Sequence, residues 1–202
     1  MHSLSNIDKY LIDYINQPVG RHRNLIESQI WDEFGYEGAT FILDMANFSL
    51  STRINGIVHY LSLIKKMQLT VEPIIKNRSG HLVKFEADNV FAYFDTAENA
   101  LQAAIDIKVA IDAVNNKYPE KSNIHIGIGI DYGKFIYLKE DKDYYGDPVN
   151  IASKLGEDLA NGGEILMTDT AFSMVPEIPY RSEEVTFEIS GVTIRSHKIY
   201  YP

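Results

Sequence analysis

The chain has 202 residues, 45% hydrophobic and 23% charged, enough for one domain with a real core. A net charge of -9 argues against a duplex nucleic-acid surface, which needs a basic face to displace counterions. It leaves room for an anionic small substrate, because bound metal ions reverse the local sign of a site. The absence of cysteine removes disulfides, thiolate metal sites and thiol nucleophiles together. The first residues lack the basic flank and apolar run of a signal peptide. No segment approaches the about 18 consecutive apolar residues of a membrane span. The expectation is a cytoplasmic protein that engages neither membrane nor nucleic acid.

In chain order, Ile7, Leu11, Ile12 and Ile15 recur at helical spacing over Ser5 to Gln17, behind a candidate Ser5 cap. Pro18 and Gly20 end that helix, and Asn24 to Phe34 forms a second amphipathic stretch. Gly35 and Gly38 then mark a boundary, so residues 1–37 are expected to be an N-terminal helical extension and 38–202 the main domain. Ala39 to Leu43 is a short apolar strand closing on Asp44. Thr52 to Lys76 is helical, with Pro73 expected to bend or shorten it. His81 to Phe94 forms two strands meeting in a hairpin at Ala87-Asp88-Asn89. Ala97 to Val114 is the clearest helix, with Ala100, Ala104, Ile107 and Ile111 along its buried stripe.

From Ile124 to Ile130, isoleucines occupy one face and His125, Gly127 and Gly129 the other, the period-two pattern of a strand. Asp131-Tyr132-Gly133 predicts a turn, with Lys134 to Leu138 returning as the partner strand. Pro148 suits the first turn of a helix running to about Leu159. Gly162-Gly163 closes that helix, Glu164 to Met167 is a strand, and Asp169 caps a short helix. Thr186 to Tyr200 alternates as a hairpin turned at Ser190-Gly191. The order of elements implies an α/β (α+β) fold, a mixed and partly antiparallel sheet flanked by helices.

Three segments concentrate the chemistry. In Phe41-Ile42-Leu43-Asp44 an apolar strand ends on an acid ahead of a helix. That places a metal-ligating carboxylate beside an anion-binding helix N-terminus, although Asp44 as a plain helix cap fits the same residues. Asp88 lies at a hairpin tip and equally fits a simple Asp-Asn turn. In Gly146-Asp147-Pro148-Val149-Asn150, followed by Lys154, Asn150 and Lys154 share a helix face one turn apart. A solvated stripe would show the same spacing.

Taken together and in this order, these segments resemble the catalytic domain of class III nucleotidyl cyclases, the adenylate/guanylate cyclase family. The family's metal strand is matched by Leu43-Asp44-Met45 through Phe48-Ser49, its Lys-x-x-Gly-Asp hairpin by Lys84 through Asp88, and its Gly-Asp-x-Val-Asn helix by Gly146 through Lys154. Ile126-Gly127-Ile128 with Gly133, and Gly163-Glu164-Ile165-Leu166, echo two further family strands. The resemblance covers roughly Ala39 to Tyr200 and implies a ferredoxin-like cyclase core. It also implies that Asp44 and Asp88 hold two Mg2+ or Mn2+ ions, hard cations that take oxygen ligands. Asn150 and Lys154 would orient the ribose and stabilise charge at phosphorus, and Phe48 and Ser49 would contact substrate. Lys84 with Asp143 would read the base. A lysine and an acid match the adenine edge, so the implied reaction is ATP to cyclic AMP and pyrophosphate.

The sequence departs from the family pattern at several points. Lys154 stands where arginine is usual, which keeps the charge but loses the bidentate fork. Ala87 replaces a glycine and Asn89 another residue that is often glycine. Ser190 takes the place of a phosphate-binding lysine, with Arg195 or Lys198 as possible substitutes. A cytidylate or uridylate cyclase of the bacterial defence type, or an impaired cyclase-like nucleotide-binding regulator, are the alternatives. The family arrangement implies a homodimer, since one chain carries both complementary sets of site residues.

Overall fold

The computed structural model describes residues 6–46, 53, 56–117, 123–189 and 191–201. Two helices, α1 (Asn6–Asn16) and α2 (Arg21–Phe34), lead directly into β1 (Gly35–Met45). Then follow α3 (Ile57–Asn77), β2 (Gly80–Glu86), β3 (Asn89–Phe94) and α4 (Ala97–Lys117). The second half holds β4 (Ile126–Leu138), β5 (Asp143–Tyr145) and α5 (Asp147–Ser153), which continues as a π-helical turn over Lys154–Leu159. It closes with β6 (Ile165–Thr168), α6 (Asp169–Ser173), β7 (Ser182–Ile189) and β8 (Val192–Ile199).

The strands form one sheet in the order β2-β3-β1-β4-β6-β8-β7, with β5 paired to β4. Among the described strands, only the β4–β6 pair is parallel. The succession β1-α3-β2-β3-α4-β4, with spatial order β4-β1-β3-β2, is the split βαβ arrangement of ferredoxin-like folds, as expected. One sheet face packs Phe41, Leu43, Ile126, Ile128 and Ile130 against α3 and α4. The opposite face carries Ile42, Phe135 and Tyr144, in one cluster with Val149 and Ala152 of α5.

Gly127 and Gly129 let the second layer sit down. A Cβ on Gly129 would stand 2.2 Å from the Ala152 carbonyl oxygen, and one on Gly127 2.8 Å from that of Gly156. The bare glycine face therefore admits the backbone of α5 and its π-helical turn to direct contact with the sheet. Thr40 anchors the start of α5 by donating its hydroxyl to the Pro148 carbonyl at 2.8 Å.

The expected turn at Asp131-Tyr132-Gly133 is corrected by the structure. β4 runs straight through it, pairing Asp131 with Thr40, Tyr132 with Ala39 and Gly133 with Gly38. Long-range pairing with β1 overrides the local turn preference of these residues. Asp131 is buried and accepts bonds from the Thr168 hydroxyl and the Tyr132 amide, which satisfies a polar side chain inside a strand. Lys134 to Leu138 is the end of that strand rather than its partner. The actual return lies past Leu138, where Lys142 adopts a positive φ of 51° and β5 folds back on β4.

Two smaller expectations also change. Pro73 does not shorten α3, which continues to Asn77. The carbonyl left without its amide partner is that of Leu69, which is 63% exposed, so water can satisfy it. Thr168, not Asp169, caps α6, accepting from the Ala171 amide at 3.1 Å. Ser5 lies outside the described residues. None of the described helices is long and apolar enough to cross a membrane.

Candidate active site

Asp44 sits at the C-terminal end of β1, opposite Gly127 on β4 and one residue beyond the last β1–β3 pair. β1 is an inner strand of the sheet, so the carboxylate emerges from a strand end and not from a lateral edge. It is half-buried, and burial is the main reason its pKa is pushed up to about 7; the negative charges of Asp88 and Glu157 add to this. The strongest charge effects on it all come from carboxylates, and a cation would relieve the repulsion.

Asp88 occupies the tip of the β2–β3 hairpin, where Glu86 pairs with Asn89 across Ala87 and Asp88. Tyr60, in the first turn of α3, donates its hydroxyl to Asp88 Oδ2 at 2.6 Å. Two acids from separate segments of the chain therefore lie at one end of the sheet, near enough for the charge of one to act on the other, with an oxygen-only donor set suited to hard divalent cations. The chemistry of the donor set fits such a cation: carboxylates crowd Asp44, and no cationic side chain is among the groups that shift it.

Ala87 holds a positive φ of 50°, in the left-handed region that L-residues other than asparagine and aspartate seldom enter. Its methyl group costs about 1–2 kcal/mol there. Ala87→Gly is expected to stabilise the fold by about 0.5–1 kcal/mol, after the added freedom of the unfolded chain is counted. Urea unfolding measures this, and an unchanged midpoint would contradict it.

Lys84 and Asp143, far apart in sequence, come together as an ion pair with Nζ–Oδ1 at 3.2 Å. A register slip of one residue between Leu82 and Lys84 makes this contact possible. Leu82 faces Ala92 on the α3–α4 side, whereas Lys84 faces Phe91 on the α5 side. Without the bulge, simple alternation would put Lys84 on the same face as Leu82. Instead its ammonium lies 5.0 Å from the Phe91 ring centroid. Asp143 is further held by the Tyr144 amide at 2.9 Å and the Tyr145 hydroxyl at 3.0 Å.

Glu86 also reaches Lys84, at 2.9 Å. Sequence reasoning missed Glu86, Tyr145 and Tyr60, and the bulge that sets Lys84 has no plain sequence signal. Tyr145, two residues past Asp143, and Glu86, two residues past Lys84, were discoverable neighbours, since alternate strand residues share a face.

Asn150 is exposed on α5, and Lys154 opens the π-helical turn, its amide bonded to the Asn150 and Ile151 carbonyls. The two residues lie one turn apart, as the spacing implied. Phe48 and Ser49 fall outside the described residues, as does Ser190. Of the two cations named as substitutes for a lysine at position 190, Lys198 is held by Glu164 at 2.5 Å. Arg195 lines a cavity of about 480 Å³ beside Asp131, Asp147 and Thr168.

The adenylate and guanylate cyclase catalytic domain profile matches residues 37–199. The chain is 31% identical over 107 residues to putative adenylate cyclase 3 of Rhizobium meliloti, covering 53% of this chain and 18% of that protein. It spans between 18% and 34% of the length of the curated relatives it matches. Among solved structures, the adenylate/guanylate cyclase/hydrolase of Silicibacter pomeroyi is 26% identical with a TM-score of 0.69, over 82% of this chain and 96% of that one. The adenylyl cyclase CyaB of P. aeruginosa superposes with a TM-score of 0.73 at 16% identity, over 83% and 95% of the two chains. With its ferredoxin-like core and a profile match from 37 to 199, the chain belongs to the class III adenylate/guanylate cyclase catalytic-domain family.

Proposed function

We propose that the chain converts ATP into 3′,5′-cyclic AMP and pyrophosphate, at sites completed when two copies pair. The observation that carries the choice of base is the Lys84–Asp143 pair at 3.2 Å. Its ammonium supplies a donor for adenine N1 and its carboxylate an acceptor for the exocyclic amine. Tyr145 and the Tyr144 amide fix the carboxylate's orientation before substrate arrives.

Asp44 and Asp88 are the residues that would hold Mg2+ or Mn2+, two per site. Bound there, the ions lower the pKa of the ribose 3′-hydroxyl and neutralise the triphosphate. Asn150 orients the ribose. Lys154 offsets the charge that grows on the α-phosphate oxygens as the 3′-oxygen attacks and pyrophosphate leaves. Phe48 and Ser49 complete the substrate contacts. The catalytic domain is taken as residues 38–202, with 1–37 as a helical extension, and the working location is the cytoplasm.

Lys84, Asp143, Asn150 and Lys154 form one half of a site, and the two acids the other. A two-fold pairing of identical chains brings each half against its complement and closes with two equivalent sites.

Purified protein with Mn2+, supplied separately with ATP, GTP, CTP and UTP, tests the reading. Cyclic AMP as the main product is expected. Preference for CTP or UTP would overturn the adenine assignment, and no cyclic product from any of the four would overturn the enzymatic one.

A further inference from the structure

We propose that Tyr60 is a positioning residue for cation binding, acting through Asp88. The inference deepens the reading of Asp88 as a metal ligand and rests on it. Tyr60 is 1% exposed and is among the largest fully buried side chains of the protein. Its ring packs in the core cluster that joins α3 to the hairpin, among residues that include Leu63, Phe85 and Val90. Its hydroxyl reaches out of that cluster to Asp88 Oδ2 at 2.6 Å.

Asp88 needs such a support. It sits at the tip of a tight hairpin whose preceding residue, Ala87, already adopts a positive φ of 50°. A carboxylate there would otherwise sample several rotamers, and each must be frozen out when a cation binds. The tyrosine ties one oxygen to a rigid helix and leaves Oδ1 for a ligand. A carboxylate held by a buried donor keeps its orientation at no further entropic cost, which is how outer partners tune metal affinity.

The bond could instead be a simple strut between α3 and the hairpin, and the two roles differ in what they move. Tyr60→Phe keeps the ring in its buried seat and removes only the hydroxyl. Mn2+ affinity of the whole chain, read from the free-ion electron paramagnetic resonance signal without nucleotide, is expected to fall about tenfold. The melting temperature in EDTA should stay within a few degrees of wild type. Asp88→Asn serves as the reference and should itself weaken Mn2+ binding. Adding Tyr60→Phe to Asp88→Asn should then weaken it no further, since the phenol works only through that carboxylate. Unchanged Mn2+ affinity in Tyr60→Phe, beside a loss in Asp88→Asn, overturns the positioning role while leaving the metal reading intact. A further loss in the double variant overturns it too. Full affinity in Asp88→Asn removes the metal reading, and this proposal with it.

Discussion

Asp44→Asn and Asp88→Asn are each expected to lower kcat/KM by at least about a hundredfold while leaving the fold intact. Neither side chain is part of a hydrophobic cluster, and both lie at chain reversals or strand ends. For Asp44 the stability effect should run opposite to the activity effect. Its folded-state pKa rises from 3.8 to about 7, mainly through burial and then through the charge of Asp88. The native state therefore holds that proton more tightly than the unfolded chain does. Without metal, stability falls as pH rises from about 4 to about 7, the window between those two values. Asparagine removes the charge, so Asp44→Asn in EDTA should melt higher than wild type at pH 8 and not at pH 4. Near wild-type turnover of both variants with saturating metal would show that the two acids are not the ligands.

Lys154 carries the second large effect. If its charge stabilises the transition state and not the bound substrate, Lys154→Ala should lower kcat far more than it raises KM. A loss on the order of 10²–10³ is typical when one such electrostatic contact is removed. Lys154→Arg should match or exceed wild type, because a guanidinium adds a second parallel hydrogen bond to a phosphate. Steady-state kinetics of the three proteins decide the matter. Equal rates for wild type and Lys154→Ala would move the role elsewhere. Arg195 is then the next candidate, because Lys198 is already engaged by Glu164.

The parts of this molecule legible in its sequence were those written in periodicity and in local motif. Isoleucines at every second position from Ile124 to Ile130 announced β4, and the apolar stripe of Ala100, Ala104, Ile107 and Ile111 announced α4. The family resemblance named Lys84 and Asp143 as residues that would read the base, and the structure brings these two distant side chains into contact. What escaped was set by contacts between distant segments. Asp131-Tyr132-Gly133 has the composition of a turn, yet eleven residues of β1 pair along β4 and hold it extended. The slip at Val83 turns Lys84 toward Asp143, and no residue type announces it. No residue type in the sequence marks Tyr60; only the folded chain places its hydroxyl against Asp88. Likewise, the helix from Asp147 was expected to run to about Leu159, and it does, but its second half widens into a π-helical turn at Lys154. Such turns concentrate at functional sites, and their extra residue leaves no local sequence mark.

Two complementary half-sites on one chain, as proposed above, would act only when two copies pair. The measurement that tests it most directly mixes two inactive variants, Asp44→Asn and Lys154→Ala, and follows cyclic nucleotide formation. In a shared-site dimer, one of the two sites in each heterodimer collects both lesions and the other collects none. A 1:1 mixture, half heterodimer after free exchange, should therefore regain about a quarter of wild-type activity. Subunit exchange is verified independently, for example by energy transfer between differently labelled copies. Exchange without any recovered activity would contradict the account.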